Sequence, residues 1–183
     1  MSSDQPRAVL KLCLSALFLA TGLVLPFLTG QIPEIGNMLL PMHLPVLLCG
    51  LVCGPWCGLA VGITTPLLRS LIFSMPPLYP KAIAMAFELG TYALIIGLVF
   101  HFVIKKQNIF SLYISLVCAM LAGRAVWGVV TAILMGVGGK SFTFAFFIAE
   151  AFVNALPGII LQLVLIPAIM IILHRTRLIK FNK

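Results

Sequence analysis

The chain has 183 residues, of which 62% are hydrophobic and 9% charged, with a mean hydropathy of +1.18. A soluble domain carries about 25% charged residues, so a water-facing globule of this composition is excluded and lipid is the solvent that fits. The formal net charge of +8 would suggest nucleic acid in a soluble protein, but the basic residues stand at the ends of apolar segments, where membrane topology accounts for them, and no nucleic-acid partner is expected.

At roughly 20 apolar residues per crossing, the chain holds six spans and little else. Its apolar runs are continuous rather than alternating, which excludes a β-barrel. The expected architecture is an all-α membrane protein, a six-transmembrane-helix bundle forming one domain over residues 1–183, with short loops and no attached enzyme.

The first segment covers residues 9–28. Arg7 and Lys11 flank its start in the manner of a signal peptide. The apolar run is longer than the ~7–15 residues of an h-region and no small-residue cleavage site follows, so an uncleaved helix is expected. Ala16 and Ala20 lie four residues apart on it, a spacing that offers a close-packing strip either to a neighbour in the bundle or to a partner protein. A polar connection spans residues 29–37.

Segment two covers 38–53, and Gly54-Pro55 marks a tight turn. Segment three covers 56–73. Gly50, Gly54, Gly58 and Gly62 recur every fourth residue through both, which predicts helix packing inside the bundle. Residues 75–80 form a proline-rich loop. Segment four covers 81–104 and stops at Lys105-Lys106-Gln107-Asn108; segment five covers 109–137 and ends at Gly138-Gly139-Lys140. Segment six covers 142–173, and a basic tail closes the chain. Pro41, Pro45, Pro66, Pro157 and Pro167 fall inside spans, where each frees a backbone carbonyl and makes either a kink or a bent wall of a site.

Placing both termini in the cytoplasm puts Arg7, Lys11, Lys105, Lys106, Arg175, Arg177, Lys180 and Lys183 on that side. The outer side then holds Lys81 and Lys140, while Arg69 and Arg124 lie within spans. The positive-inside rule selects this orientation.

Several sequence features carry no chemistry. Gly136-Val-Gly-Gly-Lys140-Ser141 looks like the end of a nucleotide loop, but its first glycine would fall at Leu134 and a membrane helix precedes it. Cys49, Cys53 and Cys57 share a spacing that would suit a metal, yet Pro55 interrupts the helix and no His or carboxylate stands near to complete a set; packing residues are expected, with no metal and no cofactor. His43, His101 and His174 lie at different depths and no protease motif occurs, so no enzyme is expected.

The informative residues are the charges inside the spans. A charge at mid-membrane costs at least ~2.5–3.5 kcal/mol and needs a partner or a use. Arg69, Glu88, Arg124 and Glu150 come from four different spans and reach a similar layer in the outer half. His43 and Asn37 enter the same layer, Trp127 and Thr131 share the face of Arg124, and Asn154 sits one turn from Glu150. Two cations and two anions can neutralise one another there, and the assortment suits a pocket for a small polar molecule.

The stretch Met38-Leu-Leu-Pro-Met-His-Leu-Pro-Val-Leu-Leu-Cys-Gly50, then Gly54-Pro-Trp-Cys-Gly58, Thr64-Thr-Pro-Leu-Leu-Arg69 and Met85-Ala-Phe-Glu-Leu-Gly-Thr-Tyr92, resembles the substrate-binding S components of energy-coupling-factor (ECF) vitamin transporters over nearly the whole chain. The resemblance implies a subunit in a bacterial plasma membrane that captures a vitamin or precursor at its outer face. It implies docking through Ala16 and Ala20 onto a transmembrane coupling subunit driven by two cytoplasmic ATPases, followed by toppling of the loaded subunit. It further implies that residues 29–37 act as a lid. A pantothenate-like anion would use Arg69 or Arg124; a pyridoxine- or pyrimidine-like ligand would use Glu88, Trp127 and Asn154. The alternative is a stand-alone proton-coupled transporter with Glu88 or Glu150 as its proton site.

Overall fold

The computed structural model describes residues 5–29, 32, 36, 38–104, 108–139 and 141–176. Those residues form helices and connections and contain no strand. Five helical stretches are long and apolar enough to cross a membrane: Ala8–Leu28, Pro55–Phe73, Leu78–Val103, Ile109–Val137 and Phe144–Arg175. Asn37, Lys105, Lys106, Lys140, Arg177, Lys180, Lys183 and most of the 29–37 connection lie outside the described residues, as does the side chain of Arg7.

Helix α1, Gln5–Val24, runs into a 3-10 turn at Leu25–Thr29. Its inward face carries Ser15 and Gly22; Ala16 and Ala20 point outward and are exposed. An internal partner for that alanine pair is thereby removed among the described residues. Leu12 and Leu17 share the exposed surface.

The expected second span differs from what forms. Helix α2, His43–Val52, has 10 residues, about 15 Å at 1.5 Å per residue, half the ~30 Å of a hydrocarbon core. The cause is local. Leu40 adopts φ 51°, a left-handed conformation that a bulky residue rarely takes, and Pro41 and Met42 form a turn. Pro45 then falls in the first helical turn, where its missing N–H breaks no bond. Residues His43 to Leu51 are all buried, so α2 is a short core rod surrounded by the longer helices.

Helix α3, Pro55–Phe73, begins where Gly54 takes φ 99°, which glycine alone adopts without penalty, and has Pro55 in its first turn. It packs on α4, Ile83–Leu98. The glycine ladder explains how closely. A Cβ at Gly62 would stand 2.5 Å from the Leu89 carbonyl oxygen, one at Gly50 2.5 Å from that of Ala93, and one at Gly58 2.9 Å from Ala93 Cβ. Gly50, Gly58 and Gly62 thus press α2 and α3 against α4, while Gly54 serves the turn.

Helix α4 continues as a π turn at Val99–Val103. Helix α5, Ile109–Val137, starts at Asn108, whose side chain accepts from Ser111 N at 2.7 Å, an N-cap that satisfies one orphan donor. The last segment is broken. Helix α6, Phe144–Ile148, passes into a π turn at Ala149–Val153, then a turn at Asn154 and Ala155, before α7, Leu156–Arg175. The core is mainly apolar, with Leu47, Leu51, Leu89, Ile96, Leu116 and Ile166 fully buried, though Thr65, Ser115 and Gln162 are fully buried too. Leu71, Ile133 and Val164 are exposed, as expected of a surface solvated by lipid.

Candidate functional site

Buried charges are few among the described residues, Arg69, Glu88 and Arg124, and they gather at one end of the bundle. That end is marked by the start of α2, the last turns of α3 and the beginning of α4, with the α3–α4 connection closing over them. A cavity of about 330 Å³ opens there, at the small end of the range for ligand sites. Its charged and polar lining comes from His43, Arg69, Lys81, Glu88, Arg124 and Glu150; Trp127, Met42, Met85 and several prolines supply the apolar wall.

Glu88 is the hub. It is 2% exposed on the second turn of α4, and its Oε1 lies 2.8 Å from Arg124 Nη1 and 3.6 Å from His43 Nε2. The Arg124 contact is an ion pair by distance without hydrogen-bond alignment, because neither Glu88 Oε1 nor the His43 ring nitrogens has an aligned hydrogen-bond partner among the described residues. Tyr92, one turn further along α4, meets the His43 ring edge-on at 5.2 Å. Arg124 Nε and Nη2 are buried with no partner among the described residues. A buried donor left unmade costs about 1–3 kcal/mol, which the ion pair with Glu88 must offset.

Arg69 is held differently. It is 3% exposed, and its Nη1 donates to the carbonyl oxygen of Leu23 at 2.5 Å, an acceptor that the last turn of α1 leaves unused. Its guanidinium carbon stands 5.1 Å from the Phe27 ring centre and 5.4 Å from that of Phe73, two rings that meet edge to face. Cation–π attraction to both stabilises the charge. No carboxylate among the described residues pairs with it.

Glu150 sits in the π turn between α6 and α7, half-buried on the cavity wall. A π turn is a local distortion that often accompanies a functional position; here it places Glu150 against the cavity within an otherwise apolar segment. Asn154 is exposed and is not part of the lining; its Nδ2 donates to Glu150 Oε1 at 2.8 Å, so it touches the site through that carboxylate. Trp127 lines the cavity and stacks on Phe147 at 6.2 Å. Thr131, on the same face of α5, is buried outside the lining. Of the residues singled out in the sequence, His43, Arg69, Glu88, Arg124, Trp127 and Glu150 thus line one cavity; Asn37 lies outside the described residues.

Sequence reasoning missed Lys81, Pro26, Met75, Pro76 and Pro77 as lining residues, and Ile32, Gly36, Leu40 and Pro41 line the cavity as well. The position of Lys81 at a segment end suggests the outer surface, and the fold of the 75–80 connection brings it to the cavity. That connection is anchored by Tyr79, whose hydroxyl donates to the Leu134 carbonyl on α5.

Comparison with protein families matches residues 10–170 to the ECF transporter, substrate-specific component. No curated protein and no solved structure gives a significant match.

Proposed function

The chain belongs to the substrate-specific components of ECF transporters, and we propose that it captures a water-soluble vitamin or vitamin precursor in the cavity at the α2–α3–α4 end and delivers it inward with ATP hydrolysed by partner subunits. The observation that carries this reading is the cavity itself: Arg69, Lys81, Arg124, Glu88 and Glu150 converge on one pocket, and it takes in every buried charge among the described residues. Groups so costly to hold in a membrane are kept where they are used. His43, Arg69, Glu88, Arg124, Trp127 and Glu150 bind the ligand, Asn154 positions Glu150, and Asn37 belongs to the loop that roofs the site.

In this reading the protein lies in a bacterial plasma membrane and crosses it six times with both termini in the cytoplasm. The half-length α2 and the chain leading into it make the second crossing together, irregular backbone being tolerated where protein shields it. The cavity then faces outward, and the exposed Ala16 and Ala20 are the strip on which the coupling subunit docks. Two cytoplasmic ATPases complete the assembly.

The test has two steps. Native mass spectrometry of the purified protein, exposed to a polar-metabolite extract, identifies the bound species. Cells carrying this chain and its coupling module then take up that species in radiolabelled form. Uptake is expected to stop on ATP depletion and to survive collapse of the proton gradient. The reverse pattern would make the protein a proton-coupled transporter instead.

A further inference from the structure

Glu150 reaches the cavity from the broken part of the last segment, Phe144–Val153, and among the described residues no other helix runs closely alongside that stretch. Phe147 reaches across from it to α5. Its ring fills the notch that Gly128 leaves, where an added Cβ would stand 2.5 Å from Phe147 Cε2 and 2.8 Å from Cδ2. The same ring stacks on Trp127, with centres 6.2 Å and planes 26° apart. Trp127 lines the cavity, whereas Phe147 and Gly128 stand behind it.

We propose that Phe147 is a positioning residue for ligand capture: seated against Gly128, it fixes the ring of Trp127 in the cavity wall without itself touching the ligand. This rests on the substrate-capture reading above and adds to it a residue pair that sets affinity from outside the cavity.

Phe147 has little freedom to move. Phe142 and Phe144 tilt against it with ring centres at 6.5 and 6.1 Å, and Phe152 meets it edge-on at 6.0 Å, all within the range over which aromatic rings attract. The short helix that carries it is tied down at its start: Phe146 N donates to Thr143 Oγ1 at 3.3 Å, and Phe147 N donates to the Thr143 carbonyl at 3.1 Å. A ring so enclosed cannot swing aside cheaply, and displacing it disturbs the stack on Trp127. Gly128 follows Trp127 directly on α5, so a side chain at 128 would push the ring at the point where it supports the indole. Groups that contact a ligand must be held to within about 0.5 Å of the productive geometry by the packing behind them. Phe147 supplies that packing for Trp127, and the missing side chain of Gly128 makes room for it.

Trp56→Phe leaves Trp127 as the single tryptophan. In that background Gly128→Ala, Phe147→Leu and the two together are purified in nanodiscs. Each is titrated with the metabolite that native mass spectrometry identifies on wild-type protein. Gly128→Ala is expected to shift the emission maximum of the ligand-free protein and to raise Kd roughly tenfold, about 1.4 kcal/mol. Phe147→Leu should also shift the emission and raise Kd by roughly threefold or more. It removes the ring that the new Cβ strikes, so adding Gly128→Ala to it should change Kd by less than about twofold, the non-additivity expected of two changes that act through one contact. A merely structural role would lower the thermal midpoint and leave Kd and emission where they were. Both single variants binding within about twofold of wild type, an emission maximum that neither moves, or a Gly128→Ala effect equally large with and without the Phe147 ring overturns the inference and leaves the capture reading standing. If Gly128→Ala fails to fold, the Kd and emission of Phe147→Leu decide alone. Wild-type protein that retains no water-soluble metabolite overturns the capture reading and this inference with it.

Discussion

Arg124 and Glu88 are 5% and 2% exposed, and each is the other's charge partner at 2.8 Å. Replacing a buried pair as a unit is often tolerated, whereas removing one member strands the other charge and destabilises by about 3–5 kcal/mol. Arg124→Ala is therefore expected to lower the unfolding temperature as well as weaken ligand binding, with much of the stability restored when Glu88→Gln is added. Thermal unfolding of the three proteins in one detergent checks this, and an unchanged midpoint for Arg124→Ala would mean that the pair is not buried as described. The convergence of Glu88 and Arg124 was legible because each intramembrane charge demands a counter-charge. Asn154 was legible only as a neighbour of Glu150 on a helix; that it faces away and grips the carboxylate depends on the π turn, which no residue spacing announces. Phe27 and Phe73 around Arg69 were likewise invisible, since aromatic residues are ordinary in a membrane span.

Segments one and three to five form helices close to the expected bounds, because long apolar runs punctuated by Gly, Pro and basic residues leave little freedom to the backbone in lipid. Residues 38–53 read as a full span because all but His43 are apolar or glycine; hydropathy cannot register the positive φ at Leu40 that reduces the regular helix to His43–Val52. Segment six hides its break for the same reason, Phe144–Val153 being as apolar as the helix that follows. On α1, exposure separates what spacing alone left open: Ser15 and Gly22 are buried and Ala16 and Ala20 are not. Small side chains on an outward face allow another helix to approach closely. Ala16→Trp is expected to abolish ATP-dependent uptake while the isolated protein binds its ligand normally, since the cavity is lined from the opposite end of α1 onward. Loss of binding together with uptake would show that the alanine face supports the fold of the cavity instead.

Across the described residues, the buried charges are confined to one end of a bundle that is otherwise mainly apolar. The glycine contacts of Gly50, Gly58 and Gly62 pin α2 and α3 to α4, and that rigid trio supplies His43, Arg69 and Glu88 to the cavity; α5 and the broken last segment add Arg124, Trp127 and Glu150. The central claim is that a small metabolite occupies this cavity, and the chain contains its own reporter. It has 2 tryptophans: Trp127 in the cavity wall, and Trp56, which is 70% exposed at the start of α3. In a Trp56→Phe variant all indole emission comes from Trp127. Titrating this variant with the metabolite that native mass spectrometry finds bound should give a saturable change in emission, with the same Kd as equilibrium dialysis reports. A metabolite that binds by dialysis while Trp127 emission stays flat would contradict the account, because its site would then lie elsewhere.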